Sequence, residues 1–234
     1  MADCHHLAMT AAEISYASKL PANPAYMACH FSAYGTGLSN MPTQLPKDSL
    51  LILNDRVPVC GHDHDLIPEQ LRQLVQSLKC NALLLDFQRP GYPELSALAQ
   101  RIAADPPCPV AVSALYAEGL SCAVFLPPVP LHKPIADHIA QWQDRTIWLE
   151  AAIDAARIAV TEQGSEITPT HYTEPPSDAL VDTALHCSYE IKLAQDAVIF
   201  HLYRTRAQLE LLLDEAQALG VSKTIGLYQQ FRRA

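Results

Sequence analysis

Glycine is scarce in this chain, and the glycine-rich motifs that bind phosphate groups are absent. Only 8 of the 234 residues are glycine, and neither GxGxxG nor GxxxxGK(S/T) occurs. Both motifs need glycine because the backbone must turn sharply and approach the phosphates closely. Their absence counts against an open, doubly wound nucleotide-binding sheet, which is the alternative to the fold inferred below.

Positive charge, long apolar runs and paired cysteines are lacking too. Lys and Arg number 16 against 25 Asp and Glu, a net charge of -9, which argues against a nucleic-acid surface. No apolar stretch approaches the ~18 residues that a membrane span needs. The 7 cysteines form no CxxC pair, as is typical of reduced thiols in the cytoplasm. Because residues 1–10 also lack the apolar core of a signal peptide, we expect a cytoplasmic protein that binds neither nucleic acid nor membrane.

What the sequence does contain is a series of short apolar runs separated by helix-like segments. Runs of this length fit strands that are buried on both faces of a parallel sheet. Amphipathic helices are predicted over 68–78, 93–104 and 206–219, the last of them stopped by Gly220. Strands that alternate with helices predict an α/β fold, and eight of them predict a closed (β/α)8 TIM-type barrel. The runs are 26–31, 50–53, 82–85, 110–113, 123–126, 146–149, 198–202 and 224–227.

The predicted barrel is a reduced one, with some helices short or replaced by hairpins. The connections after the first and fourth runs have little helical pattern, and residues 157–168 alternate around Gln163 and Gly164 like a β-hairpin. Residues 187–193 alternate as well, and a hairpin with them is the alternative placement for 198–202. We expect a single barrel domain over 1–234, with 1–24 as a flexible N-terminal segment.

Polar side chains follow most of the runs, and the C-terminal ends of barrel strands form one rim where active sites are built. Asp86 and Glu150 are candidate catalytic residues, since two carboxylates ~5–9 Å apart can cleave a glycosidic bond. The alternative is a structural ring in which arginines neutralise the carboxylates. The candidate ligand-binding residues on the rim are Asp55, Arg56, Gln88, Arg89, Tyr116, Tyr203, Tyr228 and Gln229.

Residues 81–88, Asn-Ala-Leu-Leu-Leu-Asp-Phe-Gln, resemble the DGxDxDxE barrel-strand signature of family 18 glycoside hydrolases. Members of that family are (β/α)8 barrels that cleave N-acetylglucosamine polymers by substrate-assisted catalysis. The resemblance places Asp86 on the last Asp, which orients the N-acetyl group of the substrate, and Gln88 on the catalytic Glu. Asn81 and Leu84 replace the first two Asp residues. The motif also lies on the third predicted strand, whereas the family carries it on the fourth.

The glutamine at the acid position decides what this resemblance implies. A protonated carboxyl can donate a proton to the leaving oxygen, whereas the neutral amide of Gln88 can only hydrogen-bond a sugar. The family's Met-x-Tyr-Asp strand is also missing, and Tyr228 stands where the closing strand has Trp. We therefore predict a barrel that binds a carbohydrate or other small polar ligand, either without catalysis or with Glu150 as the acid.

Residues 60–65, Cys-Gly-His-Asp-His-Asp, are dense in metal-ligand types. In an extended loop His62 and His64 share a face, where they would bind a divalent metal with a third ligand from elsewhere, such as His30, Asp55 or Asp86. A metal-dependent hydrolase is therefore one alternative function, and a non-enzymatic partner-binding barrel is another. Apart from this metal no cofactor is predicted, and the oligomeric state is left open.

Overall fold

The computed structural model describes residues 5–33, 37–58 and 66–232. These residues form two compact units: one contains the chain up to 127 together with 142–150 and the part from 221 onward, and the other contains 128–141 and 151–220. The single domain expected over 1–234 stays a prediction. The second unit contains a sheet and a small apolar core of its own.

Strands and helices are numbered in chain order within the described residues. The strands are β1 (His5–Met9), β2 (Pro24–Phe31), β3 (Leu38–Ser39), β4 (Leu50–Asn54), β5 (Ala82–Asp86), β6 (Val110–Ser113), β7 (Ala123–Leu126), β8 (Ile147–Ala151), β9 (Ala155–Thr161), β10 (Gly164–Thr170), β11 (Leu180–Asp182), β12 (Cys187–Ala194), β13 (Ala197–Tyr203) and β14 (Val221–Leu227). The helices are α1 (Ala11–Tyr16), α2 (Leu66–Leu78), α3 (Pro93–Ala104), α4 (Ile135–Ile139), α5 (Arg206–Ala218) and α6 (Tyr228–Phe231).

The first unit is a closed barrel of eight parallel strands, which confirms the predicted fold. The order around the barrel is β1-β14-β8-β7-β6-β5-β4-β2, and β2 pairs with β1 to close it. The short strand β3 adds antiparallel to β2 at residues His30 and Phe31. The barrel is reduced as expected: β3 takes the place of a helix after β2, and the connection from β6 to β7 holds only a 3-10 turn at Ala114–Tyr116.

Seven of the eight predicted runs are barrel strands, and one is not. Residues 198–202 belong to β13 in the second unit, where β13 pairs antiparallel with β9 and β12. The missing barrel strand is β1, which pairs in parallel with β14 on one side and β2 on the other. The flexible segment expected over 1–24 thus contains a barrel strand. No apolar run marks β1, because it begins with His5 and His6.

One apolar cluster draws on all eight barrel strands and fills the barrel interior. The residues come from alternate positions, as the period of a strand requires. Several are alanines, and the larger side chains that complete the packing include Phe125 and Trp148. The buried members are Ala8, Ala25, Leu50, Ile52, Ala82, Leu84, Ala111, Ala123, Phe125, Trp148 and Ile225.

The helices begin and end where local chemistry dictates. Thr10 caps α1 and Thr205 caps α5, and each shares a capping box with the residue three positions on. Gly220 follows α5 at φ 92°, a left-handed conformation that suits glycine. Over the described residues, no helix is both long and apolar enough to cross a membrane.

The second unit contains a five-stranded antiparallel sheet in the order β10-β9-β13-β12-β11. Its hairpins β9–β10 and β12–β13 confirm the two alternating segments recognised in the sequence. A small core of Leu131, Cys187 and Leu202 packs against one face of the sheet. The buried Arg204 donates to the carbonyls of Val129 and Leu185.

Candidate functional site

The strand register brings polar side chains to the C-terminal end of the barrel. Asn54, Asp86 and Glu150 each lie two residues beyond an interior apolar residue, so they continue the inward face of β4, β5 and β8. Asn54 and Asp86 are also direct partners in the β4–β5 register. All three line one cavity of about 490 Å³. It is the position at which (β/α)8 barrels carry their active sites.

Asp55 is buried in the wall of this cavity, where it holds the neighbouring backbone in place. Its side chain follows β4, and only 4% of its surface is exposed. One carboxylate oxygen accepts from the backbone N–H of Gln88 at 3.1 Å, and the other accepts from that of Arg89 at 2.9 Å. Both carboxylate oxygens therefore accept hydrogen bonds from the segment that follows β5. In this way Asp55 fixes the backbone positions of Gln88 and Arg89.

Asp86 and Gln88 are hydrogen-bonded to each other. The Gln88 amide nitrogen donates to Asp86 Oδ1 at 2.5 Å, and the Ser113 hydroxyl lies 3.5 Å from the same oxygen. Ser113 is held in place on β6 because it donates to the Leu85 carbonyl and accepts from the Phe87 N–H. The two residues that carry the sequence motif thus form one hydrogen-bonded unit on the cavity wall.

The environment of Asp86 favours the protonated form of its carboxyl. Burial raises the pKa of Asp86, and the nearby negative charge of Asp55 raises it further. The hydrogen bonds from Gln88 and Ser113 act in the opposite direction and lower it, but the net shift is upward. None of the causes of the shift is an arginine, so the carboxyl is not neutralised by an ion pair in the way that the structural-ring alternative requires.

Arg56 and Arg89 form the cationic part of the cavity wall. The Arg89 guanidinium donates to the Arg56 carbonyl at 2.5 Å, and the Arg56 N–H donates to Asn54 Oδ1 at 3.1 Å. Tyr116 donates its hydroxyl to the Arg89 carbonyl. Because Asp55 accepts from the Arg89 N–H, both the N–H and the carbonyl of Arg89 are hydrogen-bonded to side chains. Tyr116 acts here by positioning Arg89 and is not among the residues that line the cavity.

Strand β2 supplies two cavity residues that were not predicted from the sequence, Met27 and Ala28, and also His30, which was predicted only as a possible metal ligand. The β2–β4 register shifts between Tyr26 and Cys29, and Asn54 spans the irregularity by donating to the carbonyls of Met27 and Cys29. Met27, Ala28 and His30 consequently line the cavity together. A local bulge of this kind leaves no signature in an apolar run. Only the polar His30 within the run could have indicated it.

Several predicted site residues lie elsewhere. Tyr203 is on β13 in the second unit, where its hydroxyl donates to Glu190. Tyr228 and Gln229 are in α6, after the last strand, and do not line the cavity. The rim position of Tyr228 and Gln229 was counted from the end of an apolar run, whereas the chain turns into a helix directly after that run. Glu150 does line the cavity, as do Asp55, Arg56, Asp86, Gln88 and Arg89.

The predicted metal ligands cannot be placed. His62 and His64 lie outside the described residues, so the metal site stays a prediction. Among the residues that the structure does describe, no group of three or more His, Cys, Asp or Glu side chains could hold a metal ion.

The missed strand β1 changes the position of the sequence motif. With β1 counted, residues 81–88 lie on the fourth barrel strand, which is the strand that carries the signature in family 18 glycoside hydrolases. The mismatch in strand number noted from the sequence is thereby removed. The substitutions within the motif remain, with Leu84 packed into the barrel interior where the family has an acid.

No family model and no curated protein matches the sequence. Solved structures do match the fold. They include a glycoside hydrolase family 18 N-acetylglucosaminidase from Paenibacillus barengoltzii (9% identity, TM-score 0.63) and a chitinase-like agglutinin from Robinia pseudoacacia (10%, 0.57). A third is a family 18 chitinase double mutant from Cycas revoluta, one of whose changes is Glu to Gln, in complex with (GlcNAc)4 (11%, 0.54). Each comparison covers 97% of this chain and 95% of the other. The chain therefore has a (β/α)8 fold like that of the family 18 glycoside hydrolases.

Proposed function

We propose that the C-terminal cavity of the barrel binds a carbohydrate that contains N-acetylglucosamine, and that the family 18 hydrolytic route is lost. The observation that carries the proposal is the pair of Asp86, at the end of the fourth barrel strand, and Gln88, just after it, with the Gln88 amide donating to the Asp86 carboxyl. Asp86 is the residue that orients the N-acetyl group in the resembled family, and it lines the cavity here.

The chemistry of the pair favours binding over cleavage. Asp86 Oδ1 accepts from Gln88, which leaves Oδ2 to accept the N–H of an acetamido group. Gln88 has no proton to transfer to a leaving oxygen, because an amide is not a general acid at physiological pH. The cavity of about 490 Å³ lies within the size range of small-ligand sites and has room for one or two sugar rings.

Two structural neighbours support a binding role in this fold. One is named an agglutinin, and another carries a Glu-to-Gln substitution and was obtained in complex with (GlcNAc)4. Catalysis through Glu150 is the second candidate function, because Glu150 lines the same cavity from β8. The metal-dependent alternative has no support from the described residues.

Calorimetric titration with N-acetylglucosamine oligomers, with turnover followed in the same samples, tests the proposal. We expect binding without cleavage. Asp86→Ala should weaken binding by about thirtyfold, since it leaves the acetamido N–H of the ligand in the cavity without its acceptor. Asp105→Ala, an equal change at an exposed residue outside the cavity, is the matched control. Cleavage that is lost in Glu150→Gln would favour the second candidate, and binding that Asp86→Ala leaves unchanged would refute the proposal.

A further inference from the structure

Two arginines lie next to each other on the cavity wall. The guanidinium of Arg89 contacts the backbone of Arg56 at 2.5 Å, so the two residues are adjacent, and both line the cavity. Their backbones are held by Asn54, Asp55 and Tyr116. The fold therefore positions both backbones and the half-buried Arg89 side chain, while the Arg56 side chain is exposed.

Neither arginine has a carboxylate partner in the part of the chain that the structure describes. Other arginines do: Arg72 pairs with Asp105 at 2.7 Å, and Arg206 pairs with Glu210 at 3.1 Å. The chain carries 25 acidic residues against 16 basic ones, so counter-ions are not scarce. An adjacent pair of unneutralised arginines on a cavity wall is a local exception to the acidic character of the chain.

Three carboxylates line the same cavity, those of Asp55, Asp86 and Glu150. Asp55 accepts from two backbone N–H groups with its two oxygens. Asp86 accepts from Gln88 and lies next to Ser113. Asp55 and Asp86 thus face the backbone and the amide at the end of β5, and among the described residues neither of them forms an ion pair with Arg56 or Arg89.

We propose that Arg56 and Arg89 bind an acidic substituent, carboxylate or phosphate, on the carbohydrate that occupies the cavity. This inference rests on the proposed function and names the class of sugar that the site prefers. The planar guanidinium presents its N–H groups in a fork that matches both kinds of anion. Inside a cavity such a charge-assisted contact is screened less by salt than it is on an open surface.

The experiment compares neutral sugars with counterparts that carry an added acidic group, by calorimetry at low and moderate salt. One arm uses an N-acetylglucosamine tetramer against a tetramer of alternating N-acetylglucosamine and N-acetylmuramic acid, which adds carboxylates. The other arm uses N-acetylglucosamine against its 6-phosphate, which adds a phosphate. The protein is the full chain, as wild type, Arg56→Gln and Arg89→Gln. Arg72→Gln, which removes one positive charge outside the cavity, is the control.

We expect the acidic sugar of at least one arm to bind about tenfold tighter than its neutral counterpart. The preference should fall to about twofold in each cavity variant and persist in Arg72→Gln. The arm that shows it identifies the anion as carboxylate or phosphate. Equal affinities in both arms, or a preference that survives both cavity substitutions, would overturn the inference while leaving Asp86-dependent binding of the neutral tetramer intact. No binding of any sugar would overturn the proposed function, and this inference with it.

Discussion

The two ends of the barrel enclose cavities of the same size but of different chemistry. Each has a volume of about 490 Å³. The C-terminal cavity is lined by acids, arginines and amides that hold one another in place, whereas the N-terminal one is lined by residues such as Cys122, Trp148 and Lys223. Volume alone therefore does not identify a site. What distinguishes the C-terminal end is that its polar groups converge from several strands with their geometry fixed.

At the N-terminal end a half-buried lysine lies beside a buried histidine. Lys223 lies 5.7 Å from the centre of the Trp148 ring, and its ammonium is 3.4 Å from His6 Nε2. His6 is 2% exposed, and its Nδ1 has no hydrogen-bond partner among the described residues. The neutral form of His6 is therefore favoured. The comparison predicts that changes at the C-terminal end alter binding and chemistry, whereas changes at the N-terminal end alter stability.

The largest effect is expected from Gln88→Glu, which restores a carboxylate beside Asp86. Two carboxyl groups in contact cannot both ionise, so one of them is held protonated and can act as an acid. We expect hydrolysis of N-acetylglucosamine oligomers to rise by about a hundredfold over wild type, the lower part of the range for general acid catalysis. Product release measured by chromatography checks this. Unchanged turnover with intact binding would show that Leu84 or another departure from the motif also blocks catalysis.

The next largest effect is expected from Asp55→Ala, which removes both hydrogen-bond acceptors of the segment after β5. Two part-buried backbone N–H groups would lose their acceptors, at a cost of about 2 kcal/mol in the free energy of unfolding. Ligand binding should weaken as well, because the backbones of Gln88 and Arg89 are no longer held in place by Asp55. Urea unfolding and calorimetry measure the two effects. Asp105→Ala, at an exposed carboxylate, serves as the comparison and should change the stability by less than about 0.5 kcal/mol.

The extent to which the sequence predicts these two ends differs for a physical reason. The C-terminal end was largely predictable, because Asp55, Asp86 and Gln88 directly follow apolar strands whose register then brings them together. The N-terminal end was not, because β1 begins with two histidines and lacks the apolar run that marks the other barrel strands. The strand forms nevertheless because it pairs with β14 on one side and β2 on the other. Its apolar content is too low for the strand to be predicted from the sequence.

Strand β13 shows the opposite error. Residues 198–202 are apolar because β13 lies in the middle of the antiparallel sheet, between β9 and β12. A central strand of such a sheet and a strand of a parallel barrel give the same short apolar run, so only tertiary pairing separates them. The bulge in β2, which brings Met27, Ala28 and His30 to the cavity, is likewise decided by pairing and not by the run itself.

A pH dependence of stability is expected at the N-terminal end. Burial, and then the charges of Lys223 and His5, lower the pKa of His6 from 6.5 to about 4. The unfolded chain therefore binds a proton more readily than the folded one between these values, so stability is lost as the pH falls through this window. Between pH 7 and 4.5 we expect His6 to cost about 2 kcal/mol.

His6→Gln isolates this contribution, because the glutamine oxygen can still accept from Lys223 but does not titrate. Denaturant unfolding at pH 7 and at pH 4.5 should show a loss of stability about 2 kcal/mol smaller in the variant than in wild type. His132→Gln, at an exposed histidine of the second unit, is the control and should follow the wild-type profile. Identical pH profiles for wild type and His6→Gln would contradict the assignment of a buried, neutral histidine.

The smallest effect on the ligand is expected from Trp148→Phe, and it bears most directly on the difference between the two ends. Trp148 and Glu150 share a face of β8. Glu150 lines the C-terminal cavity, whereas Trp148 is buried in the barrel interior at 2% exposure and lines the N-terminal cavity. Replacement by the smaller ring should lower the free energy of unfolding by about 1–2 kcal/mol, because it leaves unfilled volume. Sugar affinity should change by less than about twofold, the scatter expected of a contact that does not reach the ligand. A larger loss of affinity at unchanged stability would place the indole against the ligand and remove the division of roles between the two ends of the barrel.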